Sequence, residues 1–277
     1  MREWLTKWKC GIVGLLLILS VTYTHIIGYA NENEEPFSVL LLGIDTGAYG
    51  REEQGRSDVI MVMTVHPKES RISLTSIPRD TYVDVPELEF RDKLNHAYAY
   101  GGSELALKVV NAWLDSDIHY YMQVDFAGIA HIVDALGGID VVPPTTFDIS
   151  GFTFVEEQMT HLDGEMALAY ARERYTSGGD YARQGRQREI LQAIVGKLRE
   201  LEMGTGIQRL LPTLLKNIKT NLNFLKLMNI YQGQKNTVND VQLDAYQLEG
   251  EGAMIDGVYY DLPNEDSVIG LKQRLEY

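Results

Sequence analysis

A chain of 277 residues, 45% of them hydrophobic, can bury a sizeable core as one large domain, alone or with a small appendage. Its formal net charge of -14 repels the phosphates of duplex nucleic acid, and a single cysteine excludes a disulfide-framed scaffold. No internal repeat or low-complexity tract breaks the pattern.

The first nine residues carry Arg2, Lys7 and Lys9, and a largely apolar stretch follows over residues 10–30. That stretch is long enough to cross a bilayer, and basic residues on one flank keep that flank in the cytoplasm. The reading is a cytoplasmic tail (1–9), a single-pass transmembrane signal-anchor (10–30) and a short linker (31–36) whose Glu32, Glu34 and Glu35 stay outside. A cleaved signal peptide ending at Gly28-Tyr29-Ala30 competes with it. Tyr23, Thr24 and His25 interrupt the stretch late, and its length favours retention. Both readings place the rest of the chain outside the cytoplasm. Residues 1–30 hold three basic side chains and one acidic one, so the exported part carries -16.

Three strand-like runs come next. Ser38–Ile44 is nearly continuous in apolar residues, as in a strand covered on both faces. Asp58–Val65 is rich in Val, Ile and Met and ends at His66-Pro67, and Arg71–Pro78 alternates until the proline. The short connection between the second and third runs predicts that they pair antiparallel, and the first two, if paired the same way, complete a meander. The end of the first run, the start of the second and the end of the third then meet at one end of the sheet. Those positions carry Asp45, Asp58 and Arg79-Asp80. Charges gathered there are hard to explain as packing. Asp80 either pairs with an arginine or serves as a base.

A helix is predicted over 103–114 after Gly101-Gly102, a strand over 120–126, a helix through Leu136 and a strand over 139–142. Asp163 is a predicted N-cap for a short helix of Met166 to Ala169. Residues 190–230 read as helical, with breaks near Gly204-Thr205-Gly206 and at Pro212. From Tyr231 onwards the chain is polar and turn-rich, with a possible strand at 253–255 and 257–260. The fold class is therefore α/β, mixed α+β: a central mixed sheet flanked by helices. A principal domain over 37–203 and an extension over 204–277 complete the organisation.

Between Arg172 and Arg188 stand five arginines in seventeen residues without a lysine. Arginine meets phosphate oxygens with two parallel N–H donors, whereas lysine is a point charge. In a helix Arg172 and Arg174 lie about 200° apart, so they share a side only if the helix has ended. Gly178-Gly179 breaks the chain, and Asp180 can cap the helix that follows. Its apolar stripe of Ile190, Leu191, Ile194 and Leu198 runs back to Gln187 and Arg183. The core-facing side thus turns cationic in the first turns, where the helix dipole also favours an anion. Arg186 and Arg188 lie further round, on a solvated face or against a ligand. No zinc spacing, P-loop, nucleophile elbow or dinucleotide fingerprint is present. His96 reads as a hydrogen-bonded structural residue.

Nine stretches, in order over residues 37–203, together resemble the LytR-CpsA-Psr family of bacterial envelope proteins. They are Leu41–Asp45, Gly55–Asp58, Ser76–Tyr82, Asp92–Gly102, Val124–Phe126, Val133–Gly138, Leu162–Gly164, Tyr170–Arg174 and Gly179–Gln187. The resemblance implies a phosphotransferase, anchored in the cell membrane of a Gram-positive bacterium with its catalytic domain outside. Its substrates would be a polyprenyl pyrophosphate-linked glycopolymer of teichoic acid or capsule type and peptidoglycan, with no nucleic acid partner. Carried over by position, Asp45 and Asp58 match magnesium ligands. Arg56, Arg79, Arg172, Arg174 and Arg183 match pyrophosphate-binding arginines, and Gln187 a polar contact there. Arg79, Arg174, Arg183 and Asp80 are the expected catalytic group. This chain has Gly47 where the family often has an arginine, and Arg51 stands in the same loop. A pyrophosphate hydrolase and a non-catalytic lipid-phosphate-binding regulator are the alternatives. An activated donor suits a compartment without ATP, and arginines with magnesium supply the positioning and charge that phosphoryl transfer needs.

Overall fold

The computed structural model describes residues 36–45, 55–69, 71–174, 178–200, 205–222 and 242–275. The expected tail and anchor, the loop holding Gly47 and Arg51, and the break at Gly204 lie outside them. Among the described residues no helix is long and apolar enough to cross a membrane.

The first three runs form β1 (Phe37–Ile44), β2 (Ser57–His66) and β3 (Arg71–Ile77), paired antiparallel in succession as expected. A hairpin of β4 (Tyr82–Val85) and β5 (Phe90–Lys93) leads into α1 (Leu94–Leu114). This helix starts nine residues before the expected Ser103. It bends at Gly101 and Gly102, and Gly102 takes φ 67°, ψ -161°, a conformation only glycine holds without strain. The sequence placed its boundary at what is an internal kink.

β6 (Tyr120–Asp125) joins β1 in parallel and ends one residue early, because Asp125 caps α2 (Phe126–Ala135) by accepting from Gly128 N at 2.6 Å. Small two-stranded sheets follow. β7 (Ile139–Val141) pairs with β10 (Thr160–Leu162), and β8 (Phe147–Ile149) with β9 (Phe152–Phe154). Asp163 caps α3 (Gly164–Arg172) by accepting from Met166 N at 2.9 Å, as read. α4 (Gly179–Glu200) and α5 (Thr205–Asn217) complete this side.

Pro212 does not break α5. A mid-helix proline costs about 3 kcal/mol. Burial of Leu210, with Leu214 packed on the neighbouring core, offsets that cost.

The segment set apart as an extension supplies both edges of the main sheet. β11 (Ile218–Thr220) lies antiparallel to β6, and β12 (Gln242–Gln247) lies parallel to β3. The order is β11-β6-β1-β2-β3-β12. β11 replaces part of the helix expected up to residue 230. The possible strand at 253–260 is a full hairpin, β13 (Gly250–Ile255) with β14 (Val258–Pro263), followed by α6 (Glu265–Leu275).

Two apolar cores cover the sheet's faces. Leu40, Leu42 and Ile44 of β1 pack with Val109 and Val110 of α1 and Leu271 of α6. The second core joins Ile132 and Val133 of α2, Tyr170 of α3 and Ile190 and Ile194 of α4. Tyr121 packs on the first and Val124 on the second. Three residues apart in one strand, they point to opposite faces.

Candidate active site

The site forms where β1 and β3 end and β2 begins. Just past β1, Asp45 and Arg56 lock together: Asp45 N donates to Arg56 O at 3.2 Å, and Arg56 N donates to Asp45 Oδ1 at 2.9 Å. Two residues on, Asp58 accepts a hydrogen bond from Arg79 Nη1 at 2.7 Å. The predicted juxtaposition of Asp45, Asp58 and Arg79-Asp80 is therefore present, and antiparallel pairing is its cause.

Arg79 and Asp80 occupy the tip of a tight turn, closed by Thr81 N and Thr81 Oγ1 donating to Pro78 O at 3.1 and 2.6 Å. The start of α1 braces it, with Asn95 N donating to Arg79 O at 3.0 Å. Asp80 Oδ1 contacts Lys93 Nζ at 2.9 Å, and its Oδ2 lies 3.7 Å from Arg79 Nε. The carboxylate considered for a base is thus held between two cations, in the ion-paired role that was its alternative. Burial opposes the charge on Arg79, but the bonded Asp58 outweighs it and raises the guanidinium pKa above its ordinary value.

α4 brings the second set. Gly178 and Gly179 turn the chain with φ of 101° and 77°, values that only glycine holds comfortably. The helix begins at Gly179, so Asp180 sits inside its first turn rather than capping it. Its carboxylate takes Arg183 Nη2 at 2.5 Å and Gln184 Nε2 at 3.0 Å, and Arg174 Nε lies 3.9 Å away. Arg183 is buried, and its pKa is lowered by that burial, with Arg79 and Arg174 adding repulsion. The Asp180 contact is poorly aligned for a hydrogen bond. Arg183 Nε and Nη2 and Arg79 Nε are all buried without a hydrogen bond among the described residues. Buried guanidinium donors left unspent are rare and costly. Two such arginines set against each other's carboxylates form a ready socket for an anion with several oxygens.

Other expectations fare differently. α3 ends at Arg172 and Glu173 is extended, so the helix has stopped where the arginine argument required. Yet Arg172 lays its guanidinium over the Phe126 ring at 4.9 Å, while Arg174 is exposed and turns toward Asp180. Gln187 is buried and donates to Ala171 O at 3.4 Å, leaving its Oε1 without a hydrogen bond. Arg56 is exposed, close enough to Tyr100 to act on its phenol.

Arg186 and Arg188 match neither alternative. Arg186 is fully buried, donates to Tyr170 O at 3.1 Å and to Glu173 O, and pairs with the Glu173 carboxylate at 3.1 Å. It pins the end of α3 from within the core. Arg188 bonds Gln247 of β12. His96 is held by Asp92, Nδ1 to Oδ2 at 2.8 Å, as a structural residue is. Lys93 and Tyr181, both at the site's margin, escaped the sequence reading. The Asp180–Arg183 spacing of three residues on a helix was the available signal for that pair.

Asp45 and Asp58 offer oxygen donors only. Among the described residues no group of three or more His, Cys, Asp or Glu could hold a metal. Two carboxylates beside a phosphate socket fit magnesium, which takes few protein ligands and completes its shell with phosphate oxygens and water.

Carboxylates at the strand ends, faced by these arginines, are suited to holding an anion with several oxygens. The chain belongs to the LytR_cpsA_psr family, whose model matches residues 20–276. It is 44% identical over 245 residues to the polyisoprenyl-teichoic acid–peptidoglycan teichoic acid transferase TagU of Enterococcus faecalis, covering 88% of this chain and 80% of that protein. The crystal structure of a transcriptional regulator from Enterococcus faecalis superposes with a TM-score of 0.75 at 36% identity, covering 87% of this chain and 86% of that one. TagT bound to LIIa-WTA superposes with a TM-score of 0.73 at 32% identity, covering 87% and 90%.

Proposed function

We propose that this protein is a membrane-anchored phosphotransferase that moves an anionic glycopolymer of teichoic acid type from polyprenyl pyrophosphate to peptidoglycan, outside the cytoplasm. The observation that carries the reading is the pair of partly buried Arg79 and buried Arg183, whose inner N–H donors make no hydrogen bond beside Asp58 and Asp180. The transferase named for the relative at 44% identity supplies the substrate class.

In this reading the arginines grip the two phosphates. An acceptor hydroxyl oxygen attacks the polymer-side phosphorus, the bond to the lipid-side phosphate breaks, and polyprenyl phosphate departs. The net reaction moves the hydroxyl proton to the released phosphate. Arg79 and Arg183 stabilise the charge that grows on the phosphoryl oxygens, and their fixed donors need no reorganisation at that moment. Arg174, exposed at the rim, closes on the donor from the solvent side. Asp45 and Asp58 would hold magnesium, which would supply further neutralisation of phosphate charge.

Mass spectrometry of lipid that copurifies with the full chain from membranes tests the reading. A polyprenyl chain bearing a phosphorylated head group is expected. A neutral lipid only, with the arginines intact, would count against it.

The metal role has its own test. Asp58→Asn removes both a magnesium ligand and the partner of Arg79, so turnover should fall by at least tenfold while the prenyl chain still binds. Wild-type turnover by Asp58→Asn with magnesium chelated would remove the metal from the account. Topology is tested separately by a C-terminal alkaline phosphatase fusion. It should be active in cells that keep residues 1–30 on the protein, and a reporter active only in the cytosol contradicts the orientation.

A further inference from the structure

The hairpin β13–β14 lies outside the nine family-like stretches, yet it reaches the site. Asp261 of β14 is only 4% exposed and has three attachments. Its N–H donates to Asp80 O at 2.9 Å, and a bridge pairs it with Thr81, so it is fixed to the turn bearing Arg79. Its Oδ2 accepts from Tyr181 OH at 3.1 Å, and Tyr181 lies between Asp180 and Arg183 in the first turn of α4. Its Oδ1 lies against Gly250, where an added Cβ would come within 2.0 Å. Gly250 N in turn donates to Tyr181 OH at 3.2 Å.

One residue thus joins the two segments that carry Arg79 and Arg183. The joint matters because Gly178, before α4, and Gly179, at its start, both have positive φ, so the first turn needs an external hold. We propose that Tyr181 and Asp261 form a latch that fixes the separation of Arg79 and Arg183, making the C-terminal hairpin a positioning part of the anion socket. The proposal rests on the reading of that socket as a pyrophosphate site.

The surroundings give the latch a pH signature. Burial, together with the carboxylates of Asp80 and Asp180, raises the Asp261 pKa, against the hydrogen bond from Tyr181 that lowers it. Burial and Asp261 push Tyr181 up to about 12. Facing this pair are Asp80 with Lys93 and Arg79, Asp180 with Arg174 and Arg183, and Tyr259. As pH rises through the raised pKa, Asp261 ionises and adds a further negative charge beside the socket, which weakens anion binding.

The test measures inorganic pyrophosphate binding by calorimetry on the full chain in detergent with magnesium, alongside donor KM and kcat. Tyr181→Phe and Asp261→Ala should each weaken binding about tenfold, the worth of one hydrogen bond, and raise KM more than they lower kcat. Asp261→Asn, whose amide oxygen still accepts from Tyr181, should recover most of the loss. The ratio of wild-type to Asp261→Asn affinity should fall with rising pH. Wild-type binding by both Tyr181→Phe and Asp261→Ala overturns the latch, as does an Asp261→Asn no better than Asp261→Ala. Should Asp261→Ala fail to fold, Tyr181→Phe decides alone. Intact, latch-dependent pyrophosphate binding with no transfer to peptidoglycan would sink the transferase reading and leave the latch standing.

Discussion

Arg183→Lys is expected to lower transfer about a hundredfold, the loss of about 3 kcal/mol that follows removal of one preorganised donor to transition-state charge. Lysine keeps the positive charge, so Coulomb attraction alone predicts little change. What it loses is the planar fork, and two of its nitrogens, Nε and Nη2, are the ones left unspent in the folded site. Arg174→Lys should act in the same direction. Its side chain is 44% exposed, so part of its grip is screened by solvent and the loss should be smaller. Circular dichroism should first establish that both variants fold. Near-normal rates in both would reduce the cluster to ion pairs, which when exposed contribute about 0–1 kcal/mol.

Arg186→Ala is expected to act on stability first and activity second. The guanidinium is wholly buried, and its removal takes a cationic partner from the buried Glu173 carboxylate while Tyr170 O loses a donor. Breaking one partner of a buried pair costs about 3–5 kcal/mol. For a domain of this size that corresponds to a fall in melting temperature on the order of 10 °C. Glu173 immediately precedes Arg174, so activity should drop even at temperatures where the variant is folded. Arg186→Ala/Glu173→Ala removes both charges and should recover part of the stability but not the activity. A melting temperature within a degree or two of wild type for Arg186→Ala would show that the pair does not hold the end of α3.

The site's first half was legible in the chain because it depends on local pairing. The short β2–β3 connection and the antiparallel pairing of β1 with β2 make a meander, and that brings Asp45, Asp58 and Arg79 together. The end of α3 before Arg174 was legible from the 3.6-residue period and the glycines that follow. The second half depends on distant pairing. Gln242–Gln247 joins β3 from some 170 positions away, and its residues are at most half-buried, so no apolar alternation announces a strand. Asp261 gains its meaning only when that strand has brought its hairpin to the turn of Asp80. Arg186 escaped for another reason. A helix wheel assigns arginine to solvent or ligand, and nothing in the period reveals a carbonyl of α3 waiting at its tip.

The most direct measurement is transfer from a synthetic polyprenyl-pyrophosphate-linked teichoic acid precursor to purified peptidoglycan, with both products quantified. The account predicts polymer joined to peptidoglycan in step with released polyprenyl phosphate, and little release when peptidoglycan is withheld. Equal release with and without peptidoglycan would mean that water is the acceptor, and the transferase account would be wrong.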